Sequence, residues 1–423
     1  MQHIVIGAGP AGVVAVEHLR KYDLDGDITL IGDEPEPPYS RMAIPYYLIK
    51  KIDEAGTHLR KDPEHFEKLG IEVLQERVAK VDTDAKTLTL ANGTARSYDK
   101  LLIATGASPV SPMIPGIESE GVYPCWTLPD ARNIIRLAKP GNSVVLIGAG
   151  FIGCIILEAL AASGVDLTVV EVEDRMVSRM LNETAGSLLG KWCLEQGVNV
   201  LTSAKVEAID RGSASSPLQV VLDSGKKIGA HMIITATGVK SNTGFLSNSG
   251  IQVDQGVRVD EYLQSSAVDV YAAGDVAQGK DFSTGGFNVQ AIQPTAVEHG
   301  RLAASNMVKG HVYAHRGSVN MNVLDTLGLI SSSFAMWMGV DGGDGVEICD
   351  ENRFRYLNLK FEDDFLVGAS TLGLTEHVGV IRGLIESKVK LNGWKQKLQQ
   401  DPTRLMEAYI ANTQALGYNA HVT

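Results

Sequence analysis

The stretch HIVIGAGPAGVVAVEHL (residues 3–19) runs from a short apolar segment through a GxGxxG pattern into a segment whose apolar residues have helical spacing. In such a turn the first glycine permits the tight bend, the second lets the backbone approach a pyrophosphate, and the third lets a helix pack on a strand. The helix start offers unpaired N–H groups and a positive dipole end to phosphate. The stretch therefore predicts a strand–turn–helix unit that binds a dinucleotide.

The same pattern returns in SVVLIGAGFIGCIILEAL (143–160), and a second apolar strand follows each copy: ITLIG (28–32) and LTVVE (167–171). One such turn could serve ordinary packing, but two in the same context predict two dinucleotide sites. The glycines of the two copies are Gly7, Gly9 and Gly12, then Gly148, Gly150 and Gly153.

The residues that end the second strands distinguish the two ligands. Glu171 ends the strand of the second copy, where a carboxylate can accept both hydroxyls of an adenosine ribose and would repel a 2′-phosphate. Arg175 could reach a phosphate, but Glu173 and Asp174 stand beside it. The second site is therefore predicted to take NAD rather than NADP, while Glu34 lies just beyond the corresponding strand of the first copy.

Three further apolar strands end in residues suited to a cofactor. YDKLLIATGA (98–107) and HMIITATGVKSN (231–242) both end in Ala-Thr-Gly, a turn poor in side chains that lets a cofactor lie against the backbone. VDVYAAGDVA (268–277) ends in Gly-Asp, which makes Asp275 a candidate ligand for a sugar-alcohol chain. Asp275 could also serve as a helix N-cap, and the two roles are compatible.

Composition excludes several classes of function. The 423 residues can form two or three domains, and a formal net charge of −12 argues against a nucleic-acid-binding or anionic membrane surface. The longest uncharged apolar stretches, 144–157 and 327–340, are shorter than the roughly 18 residues that a spanning helix needs. No lysine or arginine precedes the apolar start, so it is not expected to be a signal peptide. We expect a cytoplasmic protein without a membrane span.

The four cysteines, Cys125, Cys154, Cys193 and Cys349, are far apart, without a CxxC pair or a histidine at metal-ligand spacing. This pattern argues against a redox dithiol and a structural zinc site. We expect four structural thiols in a reducing compartment and no metal.

The motifs GAGPAG, PPYSR, ATG, GAGFIG, ATG, AAGD and QPTAVEHG, in this order, resemble the FAD-dependent pyridine nucleotide-disulfide oxidoreductases over residues 1 to about 318. PPYSR (37–41) is similar to the branch that contains rubredoxin reductases, ferredoxin reductases and the flavin portion of NADH-dependent nitrite reductase. Coenzyme A disulfide reductases form a neighbouring branch.

The resemblance implies an α/β fold with two Rossmann-like dinucleotide-binding domains, followed by a C-terminal α+β domain. An FAD domain (1–110 and 245–318) would contain an inserted NAD domain (111–244), and residues 319–423 would form an interface or partner-docking domain. The helix that opens near Gln293 would point its N-terminus at the flavin and stabilise the negative charge of reduced flavin.

The resemblance also implies the residues of each site. The FAD residues would be Gly7, Gly9, Pro10, Ala11, Gly12, Glu34, Arg41, Val78, Ala104, Thr105, Gly106, Gly274, Asp275 and Thr295. The NAD residues would be Gly148, Gly150, Phe151, Ile152, Gly153, Glu171 and Gly238.

Three residues depart from the family pattern. Met42 stands where coenzyme A disulfide reductases have a cysteine, so a thiol is not expected to be the next electron carrier after flavin. Tyr46 replaces a lysine and Ile155 a glutamate that can pair beside the flavin, so both are expected near the nicotinamide site. The double loss leaves no unpaired charge but leaves open how nicotinamide is positioned.

Residues 319–423 combine predicted strands with predicted helices. RFRYLNLKF (353–361) and DFLVGAS (364–370) have the alternation of paired strands. The segments 374–389 and 402–416 have helical spacing. Met336, Trp337 and Met338 are expected to pack in a core, with a partner-facing surface as the alternative.

The predicted function is that of an FAD-dependent NAD(H) oxidoreductase. Without a sulfur relay, flavin can release electrons singly to an iron–sulfur protein or subunit. A closer resemblance, to the flavin subunit of bacterial tungsten aldehyde oxidoreductase, implies a larger aldehyde oxidoreductase complex. The alternatives left open are a soluble NADH-rubredoxin or ferredoxin reductase and, from another class, a flavin redox sensor like apoptosis-inducing factor.

Overall fold

The computed structural model describes residues 1–419, which group into two compact units. Unit 1 contains Met1–Val110, Trp126–Leu128 and Val239–Ser318. Unit 2 contains Ser111–Cys125, Pro129–Gly238 and the chain from Val319 onward. The three-domain boundaries drawn from the sequence stay a prediction.

The α-helices of the described chain are numbered α1 to α10 in order. They are Pro10–Tyr22, Ile44–Leu48, His65–Lys68, Leu128–Leu137, Phe151–Ala162, Glu183–Glu195, Gln293–Lys309, Val378–Glu386, Trp394–Gln400 and Leu405–Asn419.

The strands are numbered β1 to β26 in the same way. They are Gln2–Ile6, Asp27–Gly32, Ile71–Gln75, Val78–Asp82, Thr87–Leu90, Ala95–Ser97, Lys100–Ile103, Ala107–Pro109, Val122–Pro124, Ser143–Ile147, Asp166–Val170, Asn199–Leu201, Val206–Ser213, Ser216–Leu222, Lys227–Ala230, Met232–Thr235, Val239–Ser241, Val257–Arg258, Val270–Ala272, Ala277–Lys280, Phe287–Val289, Met321–Thr326, Leu329–Ala335, Asp344–Asp350, Arg355–Glu362 and Phe365–Leu372.

Unit 1 is built on a parallel five-stranded sheet in the order β19-β7-β1-β2-β3. The strands are short apolar runs, such as Ile4–Ile6, because a parallel sheet is buried on both faces. Helices α1 and α7 pack closely on each other: a Cβ on Gly300 of α7 would lie 2.4 Å from the Ala11 carbonyl oxygen of α1. Smaller sheets, β4-β5-β6, β18-β20-β21 and β8-β17, complete the unit.

Unit 2 contains a second parallel sheet in the order β12-β11-β10-β16-β9, with the antiparallel sheet β13-β14-β15 beside it. The C-terminal part adds an antiparallel sheet in the order β22-β23-β26-β25-β24 and the helices α8 to α10. The predicted fold class is thereby confirmed: two α/β halves with parallel sheets and a C-terminal α+β part.

The C-terminal sheet packs on the helices of the second parallel sheet. The Trp192 indole N–H of α6 donates to the Thr326 carbonyl oxygen at 3.1 Å. Asn182, the N-cap of α6, donates from Nδ2 to the Tyr356 hydroxyl at 2.7 Å, and that hydroxyl donates to Glu347 at 2.9 Å. Helix α5 also contacts β22, so an apolar helix is covered on both sides. Residues 319 onward therefore contribute to the packing of unit 2.

The C-terminal predictions are mostly confirmed. Strands β25 and β26 and helices α8 and α10 form at the predicted segments, whereas α9 was not anticipated. The core prediction is right for Trp337, which is 7% exposed, and wrong for Met338, which is 75% exposed. The reason is that β23 ends at Ala335 with φ of +50°, and the turn that follows directs Met338 outward.

The described chain, residues 1–419, lacks two kinds of feature. No helix there is long and apolar enough to cross a membrane. The same residues contain no group of three or more His, Cys, Asp or Glu side chains that could hold a metal ion.

Candidate dinucleotide-binding sites

The first glycine turn joins β1 to α1, and its three glycines differ in what requires them. A Cβ on Gly7, which has φ of +113°, would lie 2.1 Å from the Ala104 carbonyl oxygen. A Cβ on Gly12 would lie 1.9 Å from the Gly7 carbonyl oxygen. A Cβ on Gly9 would meet nothing within 4 Å, and its φ of −80° suits any residue. Packing therefore explains Gly7 and Gly12, whereas the backbone at Gly9 is left open to a ligand.

The second turn, between β10 and α5, repeats this arrangement. A Cβ on Gly148 would lie 2.5 Å from the Ala236 carbonyl oxygen, and one on Gly153 would lie 2.2 Å from the Gly148 carbonyl oxygen. A Cβ on Gly150 would meet nothing within 4 Å, at φ of −75°. In each copy the first glycine packs on the alanine of an Ala-Thr-Gly turn. Both turns therefore fit a pyrophosphate at the second glycine and at the helix N-terminus.

The structure brings most of the predicted FAD residues to one edge of the first parallel sheet. Strands β19, β7 and β1 are neighbours, and their carboxyl ends lead into the Gly-Asp, Ala-Thr-Gly and glycine-fingerprint turns. Ligands of open parallel sheets bind at this edge. Pro10 and Ala11 lie at the start of α1, Thr295 in the first turn of α7, and Val78 at the start of β4. Ala11 and Val78 belong to one hydrophobic core.

Asp275 is an acidic residue at this edge. Burial raises the pKa of its carboxyl to about 6, and the positive charge of Arg41 acts in the opposite direction. Among the described side chains and backbone groups, none donates a hydrogen bond to the Asp275 carboxylate. Asp275 is half-buried. A partly desolvated carboxylate without donors is destabilised, so it is suited to accept hydrogen bonds from ligand hydroxyls. A ribityl chain supplies such hydroxyls.

Arg41 and Glu34 form an ion pair in unit 1. The Arg41 guanidinium donates to Glu34 Oε1 at 2.5 Å, to the Tyr39 hydroxyl at 2.7 Å and to the Trp126 carbonyl oxygen at 2.9 Å. It also lies 5.4 Å from the Tyr39 ring centroid and 5.5 Å from that of Trp126. The two predicted FAD residues are therefore held together with fixed orientations.

The start of α7 is tied to the PPYSR segment. The Ser40 hydroxyl donates to Gln293 Oε1 at 2.7 Å, and Pro294 occupies the first turn of the helix. Thr295 is buried there. Helix α7 begins at Gln293, as predicted, and its free N–H groups lie at its N-terminus.

Glu171 lies just past the end of β11 and is buried. Its carboxylate accepts the Ala149 N–H at 2.6 Å and the Glu173 N–H at 2.9 Å. The negative charge is thereby fixed beside the second glycine turn. Arg175 is engaged elsewhere, with Nη1 2.6 Å from Asp174 and Nε 3.1 Å from the Leu181 carbonyl oxygen. This arrangement fits a ribose with two free hydroxyls better than a 2′-phosphate.

The other predicted NAD residues lie around this turn or follow β16. Phe151 and Ile152 are half-buried in the first turn of α5. Gly238 has φ of +113° and open space at its Cβ position, in the turn after β16.

The three departures from the family pattern are not all alike. Met42 and Tyr46 are 47% and 53% exposed in unit 1, whereas Ile155 is half-buried in α5 of unit 2. The expected place of Tyr46 and Ile155 near nicotinamide stays a prediction.

The four cysteines are free thiols, and all four belong to unit 2. Cys125, Cys154 and Cys193 are buried, and Cys349 is exposed. Burial raises the pKa of Cys125 and of Cys193 to about 12 and that of Cys154 well above its ordinary value. The pKa of Cys349 is also raised, by desolvation and by neighbouring carboxylates. None of these thiols has the lowered pKa of a reactive cysteine.

Sequence reasoning missed Ser241 and Asn242, which contact the Gly-Asp and Ala-Thr-Gly turns of unit 1. They stand in the quoted segment 231–242, but their contacts depend on where the chain re-enters unit 1.

Comparison with known proteins decides the family. The model for "Pyridine nucleotide-disulphide oxidoreductase" matches residues 1–300. The chain belongs to this family. It is an FAD- and NAD(H)-dependent oxidoreductase of the ferredoxin and rubredoxin reductase type.

Individual relatives cover different shares of the chain. The NADH-dependent phenylglyoxylate dehydrogenase subunit epsilon of Aromatoleum evansii is 29% identical over 420 residues, 98% of this chain and 96% of that protein. The rubredoxin-NAD(+) reductase of Pseudomonas putida is 30% identical over 311 residues, 73% of this chain and 80% of that protein. Among solved structures, a NAD-dependent persulfide reductase from A. fulgidus has a TM-score of 0.84 and 28% identity, and the match covers 93% of this chain and 78% of that one.

Proposed function

We propose that the protein passes electrons between NAD(H) and an iron–sulfur protein or subunit. The observation that carries this proposal is the absence of cysteine from unit 1, which contains the proposed FAD site. Met42 stands where coenzyme A disulfide reductases have a cysteine. Electrons that reach the flavin therefore have no thiol in this unit to receive them. An iron–sulfur centre is a natural one-electron acceptor for a flavin.

The residues of the chain would bind and orient the two dinucleotides. Bound FAD supplies the chemistry, because it exchanges a hydride with NAD(H) and single electrons with an iron–sulfur centre. Gly9 and the start of α1 would hold its pyrophosphate, and the Asp275 carboxylate would accept its ribityl hydroxyls. The positive end of α7 would stabilise negative charge on the flavin ring. Gly150 and Glu171 would hold the pyrophosphate and ribose of NAD(H).

The names of the relatives support two kinds of electron partner: a subunit of the same complex, or a separate carrier protein. The relative from Aromatoleum evansii is named as the epsilon subunit of an NADH-dependent dehydrogenase, and the similarity includes the C-terminal region. This favours a flavin subunit within a larger complex, of which an aldehyde oxidoreductase complex is the specific version that we propose. The rubredoxin-NAD(+) reductase favours the second candidate, a reductase that serves a separate rubredoxin or ferredoxin. Free cysteines accord with a cytoplasmic setting.

The test is to isolate the protein from its native cell under anaerobic conditions and identify what co-purifies. A stable iron–sulfur subunit is expected for the complex, and a free protein that reduces added rubredoxin or ferredoxin with NADH is expected for the second candidate. Cross-linking mass spectrometry would then locate the contact, which we propose lies on residues 319–423 or around Arg41–Tyr47. A protein that forms no complex and reduces neither carrier would refute the proposal.

A further inference from the structure

The chain leaves unit 1 through β8 and returns to it through β17. These strands pair antiparallel, with Val239 opposite Pro109 and Ser241 opposite Ala107. The return follows immediately after Gly238, at the end of the part that belongs to unit 2. The first residues of the returning segment are therefore fixed next to the Ala-Thr-Gly turn that precedes β8.

Asn242 makes three hydrogen bonds to this turn. Its side-chain Nδ2 donates to the Thr105 carbonyl oxygen at 2.9 Å, and its backbone N–H donates to the Gly106 carbonyl oxygen at 2.9 Å. In return, the Thr105 hydroxyl donates to the Asn242 carbonyl oxygen at 2.9 Å. Asn242 and Thr105 are thus joined by two reciprocal hydrogen bonds, each from a side chain to a backbone carbonyl oxygen.

Ser241 makes the corresponding contact with the second turn. Its hydroxyl donates to the Asp275 carbonyl oxygen at 2.9 Å. The preceding residue, Gly274, has φ of +74°, and Gly106 has φ of +64°. Glycine is conformationally permissive, so each turn loses much backbone freedom when it is fixed. Two adjacent residues of one strand end therefore restrain two glycine turns at once.

We propose that Ser241 and Asn242 are positioning residues for FAD, which hold the turns of Thr105 and Asp275 in the conformation that binds the flavin cofactor. This inference rests on the proposed FAD site and adds the residues that support it. They act through Thr105 and Asp275 and need not touch the cofactor themselves. A defect in them should therefore show first as faster loss of FAD.

Two variants of Asn242 change the contact with the Thr105 carbonyl oxygen, and one variant of Ser241 changes the contact with the Asp275 carbonyl oxygen. Asn242→Ala removes one donor, so FAD release should accelerate about fivefold, as expected for a hydrogen bond with a net value of ~1 kcal/mol. Asn242→Asp has the same shape but puts a carboxylate oxygen against that carbonyl, so its release should be faster still. Ser241→Ala should resemble Asn242→Ala. Excess FAD should restore the turnover of all three variants with NADH and an artificial electron acceptor.

A matched control is available in the same unit. The Ser247 hydroxyl donates to the Gly244 carbonyl oxygen at 2.9 Å, at an exposed position, and this bond goes to neither turn. Ser247→Ala loses the same kind of bond and should release FAD at the wild-type rate.

The measurement is FAD fluorescence released on dilution of the full-length holoenzyme, with the unfolding temperature recorded at saturating FAD. Wild-type release rates in Asn242→Ala and Asn242→Asp, with or without a lowered unfolding temperature, would overturn the positioning role while leaving the FAD site itself standing. Wild-type protein that binds no FAD would overturn the proposed FAD site and the positioning role together. If Asn242→Asp does not fold, the comparison of Asn242→Ala and Ser241→Ala with Ser247→Ala decides the matter.

Discussion

Replacing Gly9 by valine is expected to remove FAD while leaving the fold intact. A Cβ at this position meets no protein atom within 4 Å, and φ and ψ of −80° and −174° form an extended backbone that valine adopts readily. The folding cost is then confined to the N-cap of α1, about 1 kcal/mol. The bond from the Val13 N–H to the Gly9 carbonyl oxygen, 3.0 Å, remains available.

The loss of binding should be larger than the loss of stability. The valine side chain would occupy the space in which the pyrophosphate approaches the turn. If two charge-assisted hydrogen bonds from backbone N–H groups to phosphate are lost, at about 1.5–3 kcal/mol each, FAD affinity falls on the order of 10²–10⁴-fold. The purified variant should therefore be almost colourless yet unfold cooperatively.

Two matched variants make the test specific. Gly12→Val should fail to fold, because its Cβ would lie 1.9 Å from the Gly7 carbonyl oxygen. Gly150→Val should keep FAD but lose rapid flavin reduction by NADH. The valine side chain would fill the open space at the second turn, where the pyrophosphate of NAD(H) is proposed to bind. The assay is the ratio of flavin absorbance to protein, with circular dichroism as the control for folding. Full FAD content in a folded Gly9→Val protein would refute the assignment of the first site.

Three further outcomes are expected. Stopped-flow flavin reduction should be much faster with NADH than with NADPH, and Glu171→Ala should narrow the difference; equal rates in the wild type would contradict the role of Glu171. Alanine at all four cysteines should leave NADH-dependent dye reduction intact in a folded protein, because none of the thiols is activated; loss of activity with FAD retained would indicate a thiol relay. Burial raises the pKa of Asp275 from 3.8 to about 6, so the folded FAD-free chain loses stability as pH rises through this interval, by up to about 3 kcal/mol. Asp275→Asn should remove that loss, raising the unfolding temperature of FAD-free protein above pH 6 while weakening FAD binding. An unchanged pH profile of unfolding would contradict the raised pKa of the Asp275 carboxyl.

The sequence was sufficient for features that depend on local geometry. The roles of Gly7 and Gly12 follow from the sharp turn and from close helix packing, which any strand–turn–helix unit of this type requires. The start of helix α7 at Gln293 was implied by the family resemblance, and proline in its first turn is compatible with that start.

Features that depend on distant parts of the chain were not predictable. Asn242 acquires its role only because β17 returns beside β8. The apolar helix α5 gave no sign that β22 covers its second side. Met338 continues an apolar segment, but the backbone turn at Ala335 exposes it. Each case is settled by tertiary pairing rather than by propensity or periodicity.

Electron paramagnetic resonance of the native complex, frozen after anaerobic mixing with NADH, tests the central claim most directly. A tagged wild-type chain should bring its iron–sulfur partner with it, and NADH should produce the signal of reduced iron–sulfur centres. The Gly9→Val chain, which is expected to lack FAD, should bring the same partner without that signal. Flavin that is bleached by NADH while every iron–sulfur centre stays oxidised, or centres that are reduced equally in the FAD-free complex, would contradict electron transfer through this protein.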